Sequence, residues 1–198
     1  MATNPYTTVA QVKSMLGIGD TDDDAFLDVC LGAASRKIED LTGDRFWVDS
    51  AVTVREFYAD DAYCLRVDAG ISTTTGLTVY IDEDGDGTFE TELTITTDFI
   101  LKPTNAPDEV PVRPYTEIVL VDNYRWPIHM ARPSAQVTAK FGWPAVPDDV
   151  ALACMLLTKD LFKSKDSPGG SPEFAPLDTS VSRTVKDLLR GYTKVSVG

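Results

Sequence analysis

The sequence predicts an α+β fold: a helical core interrupted by an inserted all-β region and followed by a short helix on a linker. Three observations predict it. Apolar residues recur at helical spacing over residues 8–43 and again over 150–162, and between them the period falls to two. Ser167 to Pro176 then concentrates proline, glycine and serine, as linkers do. A last apolar stripe at helical spacing follows that stretch. The chain accordingly divides into an N-terminal helical part of the core (1–45), an inserted β region (46–145), a central helix of the core (146–166), and a linker, short helix and C-terminal arm (167–198).

The first helix opens on Thr8-Val-Ala-Gln11, a capping-box pattern, with Val9, Val12 and Leu16 behind it and Gly17 as its stop. A second helix starts from the acidic run Asp20 to Asp24, which favours a helix N-terminus. Its stripe is Leu27, Leu31, Ala34, Ile38 and Leu41, widened by Phe26, Cys30 and Ala33, and Thr42-Gly43 ends it. Short alternating segments then follow around Val52, Leu65, Leu77, Phe99, Ile118 and Val137, separated by turn residues, and predict six to eight strands. Asn105, Pro107, Pro111 and Pro114 mark one long loop, and Trp126-Pro127 to Pro133 another.

Val137 to Phe141 reads as a strand, broken by Gly142, Trp143, Pro144 and Pro147. Pro147 suits a first helical turn, Asp148 and Asp149 complement the positive N-terminus, and Lys159, Lys163 and Lys165 the negative end. Between them Val150 to Leu157 is apolar without interruption, so this helix must be covered on several sides. In the last segment Val181, Val185, Leu188, Leu189 and Tyr192 share one face, too short a helix to stand without docking on its own chain or a neighbour. The candidate interface is therefore Val150, Cys154, Leu157 and Leu161 of the central helix. Val181, Val185, Leu188 and Leu189 of the terminal one complete it.

Composition is that of a globular domain, 43% hydrophobic and 25% charged, and 198 residues bury an adequate core. No apolar run approaches the ~20 residues of a membrane span and no signal peptide opens the chain, which predicts a cytoplasm-like compartment and no membrane partner. Cys30, Cys64 and Cys154 are odd in number and widely separated, so inert buried thiols are expected. The net charge of −13 is uneven: −14 over residues 1–100 and +1 over 101–198. Phosphate affinity comes from Lys and Arg, so so acidic a chain is a poor candidate for gripping nucleic acid, though it suits a surface past which DNA slides.

One motif carries site chemistry. Asp82-Glu-Asp84-Gly-Asp86-Gly-Thr-Phe-Glu90 places acids at positions 1, 3, 5 and 9 of a calcium loop, making Asp82, Asp84, Asp86 and Glu90 weak candidate ligands. Leu93 stands where the bidentate glutamate belongs, and the flanks read as strands, so a hairpin tip without metal is the preferred reading. His129 is the sole histidine, which excludes His-based metal clusters by count and leaves no catalytic pair above chance; a loop position facing solvent is expected for it. No phosphate-binding glycine loop is present, and Trp47, Trp126 and Trp143 are expected in core or interface.

Together these parts resemble the head–tail connector (adaptor, or head-completion) family of long-tailed bacteriophages. The resemblance rests on Tyr6-Thr-Thr-Val-Ala-Gln-Val, Asp23-Asp-Ala-Phe-Leu27 and Ile38-Glu-Asp-Leu-Thr-Gly43 near the start. Asp84-Gly-Asp86-Gly87, Phe141-Gly-Trp-Pro-Ala-Val-Pro147, Asp166-Ser-Pro168 and Val185-Lys-Asp-Leu-Leu-Arg-Gly-Tyr192 continue it. The long β region departs from compact members. The resemblance implies a structural, non-enzymatic virion protein of the neck, assembled in the host cytoplasm. It implies a homo-oligomeric ring, dodecameric in the virion, between the portal protein and a neck stopper or tail completion protein. That ring would extend the channel for genomic DNA without sequence-specific binding, and no cofactor is implied. Two alternatives stay open from the residues: a calcium-binding β-rich interaction module, and a hydrolase whose titratable cluster sequence does not reveal.

Overall fold

The computed structural model describes residues 4–59, 61–121, 124–128, 131–164 and 181–194; the expected linker at 167–176 and His129 lie outside them. Helices and two antiparallel sheets make an α+β fold. The chain divides into two compact units: residues 1–46 with 146–198, and residues 47–145.

The first unit is helical. In α1 (Val9–Leu16) the capping box forms as its sequence requires: Thr8 Oγ1 accepts from the Gln11 N–H at 3.2 Å, and Gln11 Oε1 accepts from the Thr8 N–H at 3.0 Å. Gly17 closes the helix in the left-handed conformation. The second helix, α2 (Asp24–Thr42), is fastened to α1 by the Lys13–Asp24 ion pair at 2.6 Å and stopped by a left-handed Gly43. Leu27, Cys30, Leu31, Ala34 and Ile38 are buried, as their spacing predicts. Ser35 and Thr42 share that face, because their hydroxyls donate back to the Leu31 and Ile38 carbonyls at 2.9 and 2.8 Å and bury no unpaired group. Phe26 and Ala33, expected to widen the stripe inward, are instead exposed at its edge.

Tyr6 ties the start of the chain to this unit. Its hydroxyl donates to Glu39 and accepts from the Phe46 N–H at 3.0 Å, and its ring meets Phe46 edge-on. Burial first, and then the hydrogen bond to Glu39, push the phenol far above its ordinary range.

The central helix, α3 (Asp148–Lys163), is packed by α1, α2 and, from the C-terminal end, α4 (Arg183–Leu189). Pro147 is its cap rather than its first helical residue. Val150, Ala153, Cys154 and Leu157 are buried, with Cys154 Sγ 3.4 Å from Ser35 Oγ. Leu152, within the apolar run, and Leu161, beyond it, are each 39% exposed and, nine residues apart, lie on opposite sides of the helix, so the three packing helices do not cover it all round. Beyond α4, a 3₁₀ turn (Arg190–Tyr192) sets Tyr192 edge-on against Phe46, and the Lys194 N–H donates to the Thr42 carbonyl at 2.9 Å.

The second unit is the β region. One sheet has the order β1–β7–β3–β4, built from Thr53–Phe57, Ala135–Ala139, Thr78–Ile81 and Thr91–Leu93. The other has the order β2–β6–β5, built from Cys64–Ile71, Tyr115–Leu120 and Phe99–Lys102. The register aligns Val79 with Val137 and Leu93, and Ile118 with Leu65 and Leu101, so each set lies side by side on a buried face. Both sheets feed one core with Phe99, Phe141 and Trp126 inside it. Trp143 is also buried and Trp47 half-buried, in agreement with a core role for the tryptophans. Where β7 ends, Gly142 adopts φ +115° and a Cβ there would sit 2.1 Å from the Trp47 carbonyl oxygen, so only glycine fits.

Candidate functional site

Three surfaces offer themselves: the acidic tip, the edge of β1, and the open flank of the helical unit. The tip joins β3 to β4, whose register pairs Ile81 with Thr91. Asp82 is fully buried, its two carboxylate oxygens accepting from the Gly85 N–H at 2.7 Å and the Gly87 N–H at 2.9 Å. Asp84 accepts from the Asp86 N–H at 3.1 Å and Asp86 from the Thr88 N–H at 2.7 Å, each a local side-chain turn. Thr88, through hydroxyl and N–H, and then the Arg132 guanidinium hold the Asp86 carboxyl below the usual range.

One oxygen from each of Asp82, Asp84 and Asp86 lies within 4.8 Å of the other two, the one such grouping among the described residues. Glu90 is not part of it: it is exposed, one residue before β4. Leu93, at the twelfth position, is buried against Val79. An Arg132 guanidinium nitrogen lies where a Gly87 Cβ would project, 2.7 Å from that position, a cation beside the acids. The geometry is that of a hairpin tip folded around Asp82, with no bidentate carboxylate for calcium.

The edge of β1 departs from the expected pattern. Val52 and Val54, the apolar positions of the first alternating segment, are 43% and 58% exposed, and Tyr58 beyond them is 56% exposed. The other face of the strand explains it: Arg55 lies over the Phe141 ring at 4.3 Å and pairs with Asp49 at 2.7 Å, taking the inward place that the valines leave.

The candidate interface residues of the helical unit separate into two groups. Val150, Cys154, Leu157, Val181, Val185 and Leu189 are buried within the chain's own helical unit, so the packing expected of a neighbour is already made by α4 on α3. Leu188 is half-buried and Leu161 exposed. Leu161 lines a groove of ≈ 300 Å³ with Ala33, Ala34, Leu157 and Val181, rimmed by Arg36, Lys37 and Asp40. The exposed side of α2 was missed in the sequence because Phe26 and Ala33 sit one position from residues that do face inward.

Residues 6–75 match the model of the phage gp6-like head–tail connector family, the family whose pattern the sequence resembles. No curated protein matches by sequence. In structure, the chain is similar to a chain in the neck of an empty gene transfer agent (GTA) particle computed with C6 symmetry. That likeness has a TM-score of 0.55 and 21% identity over 98% of this chain and 92% of the other. It is also similar to a chain in the neck of the native GTA particle computed with C12 symmetry, with a TM-score of 0.53 and 21% identity over 100% and 98%. A chain in the virion of the native gene transfer agent particle gives 0.55 and 21% over 98% and 92%. The shared fold thus spans both units and not the helical part alone.

Proposed function

We propose that this chain is a structural subunit of the neck of a phage-like particle, where copies of it form a ring between the portal of the head and the next neck or tail component. The observation that carries the reading is the coincidence of two independent likenesses. A connector-family model matches residues 6–75, and neck chains share the fold over nearly the whole chain. The C6 and C12 symmetries of those particles support a ring, and with it a central passage for DNA. Charge supports the passage. Residues 47–145 hold 16 Asp/Glu against 7 Lys/Arg, a surface to which phosphates do not adhere. The role is structural, not enzymatic, in this reading.

Interrupting the coding sequence in the particle that encodes it tests the reading. DNA-filled heads and separate tails are expected, with joining restored by supplying the protein in trans. Complete, infectious particles without it would overturn the proposal.

A further inference from the structure

We propose that Phe46 is a latch that couples the segment before α1 to the turn after α4: both grip the same exit from α2, and each grip steadies the other. The inference goes beyond the neck reading and stands independently of it. The helix α2 stops at Gly43, and residues 42–46 are the last of the helical unit before the β region starts at Trp47. The final carbonyls of a helix have no partner within it, so whatever satisfies them fixes the path of the outgoing chain.

Both segments supply partners to that exit. From the side of α1, the Tyr6 hydroxyl accepts from the Phe46 N–H at 3.0 Å, and its ring meets the Phe46 ring edge-on with centroids 5.7 Å apart. From the side of α4, the Tyr192 ring meets Phe46 edge-on at 5.5 Å. Two residues on, the Lys194 N–H donates to the Thr42 carbonyl at 2.9 Å, and the Lys194 ammonium lies 3.3 Å from the Asp44 carboxylate. Phe46 itself is fully buried between the two tyrosines.

The coupling follows from the geometry of the rings. Their planes stand at 80° and 90° to that of Phe46, and an edge-to-face pair holds only while both ring orientations are fixed. Freeing the Phe46 ring on its Tyr192 side therefore loosens it on its Tyr6 side, and the reverse holds equally. The turn is the side that opens first. It is a 3₁₀ turn of three residues, a weak element by itself, and Arg190, Gly191, Thr193 and Lys194 are exposed, whereas Tyr6 is buried. A displacement of residues 190–194 thus reaches Tyr6 without touching it, and relaxes the hold of the helical unit on the chain it sends onward.

Hydrogen exchange of the Lys194 amide tests this in the full chain. Lys194 is exposed, so its amide exchanges through local opening of the turn rather than through global unfolding. Tyr6→Phe removes the hydroxyl that holds the Phe46 N–H, and should speed that exchange roughly tenfold, within the range for residues that share a partner. Cys30→Ala, buried elsewhere on α2, should leave the rate unchanged. A second measurement is the double-variant cycle of Tyr6→Phe with Tyr192→Ala in urea unfolding. The unfolding constant of the double variant should rise roughly tenfold less than the product of the single effects. A Lys194 rate that ignores Tyr6→Phe, or that Cys30→Ala raises as much, overturns the latch. Single effects that simply multiply overturn it as well, because the two grips are then independent.

Discussion

Tyr6 shows how much one side chain of this molecule holds. Three partners converge on it: its N–H donates to Ser35 Oγ at 3.3 Å, and its hydroxyl joins Glu39 and the Phe46 N–H. Tyr6→Phe keeps the ring but leaves the Phe46 N–H and Glu39 without that partner, so a loss of about 1–3 kcal/mol is expected in urea unfolding. The pH dependence has a definite sign. The phenol is raised in the folded state, so folding favours the protonated form. The stability it contributes is fully present below the unfolded tyrosine value, about 10, and falls as pH rises above it. The wild type should therefore lose stability above about pH 10 more steeply than Tyr6→Phe does. Equal slopes would remove Tyr6 from that role. Asp82 is the second such residue. Its buried carboxylate takes two backbone N–H groups, so Asp82→Ala should cost about 1.5–3 kcal/mol per charge-assisted pair lost, with or without calcium. Calcium at ~1 mM, the weak end for such loops, should leave the melting temperature of the wild type unchanged. A rise in melting temperature that Asp84→Ala abolishes would show a ligand role instead.

At the scale of elements, α4 is the informative case. As a sequence it is a stripe beyond a Pro- and Gly-rich stretch, and an arm lent to a neighbour explains it well. The structure buries Val181, Val185 and Leu189 within the chain's own helical unit, where α4 packs on α3. Each such side chain contributes roughly 1.5–3 kcal/mol, so removing all three takes away a large part of a small unit's stability. Truncation after Ser164 should therefore lower the helical signal and open α3 to limited proteolysis. A truncated chain as helical and as protease-resistant as the full one would return α4 to the role of a detachable arm.

For the whole molecule, charge follows the spatial units rather than the halves of the chain. Counted by halves, the acidity is all N-terminal; counted by units, residues 47–145 carry −9 and the helical unit −4. Neither unit has the basic excess that phosphate binding needs. Purified protein should not retain duplex DNA in a gel shift at low micromolar concentration and ~150 mM salt, where exposed charges are screened beyond about 8 Å. Retention there would place a basic surface on a protein read as one past which DNA slides. Among the described residues no helix is long and apolar enough to cross a membrane.

Local rules account for what was legible in the sequence. Thr8 and Gln11, Gly17 and Gly43 set helix ends by bonds that reach no further than a few residues, so their places follow from the sequence alone. The period of two marks the β region for the same reason, because alternation is a property of one strand. What only the tertiary structure decided is which face meets what. Val54 alternates like a core residue and is 58% exposed because Arg55, stacked on Phe141, occupies the inward side. Asp82 stands at the first position of a calcium-loop pattern, and the amides of Gly85 and Gly87 allow its carboxylate to be buried. Leu161 belongs to the same helix as the buried Leu157, yet it stays open because the helices packed on α3 leave that flank uncovered. Burial is decided by the neighbour, and the neighbours here come from residues far apart in the chain.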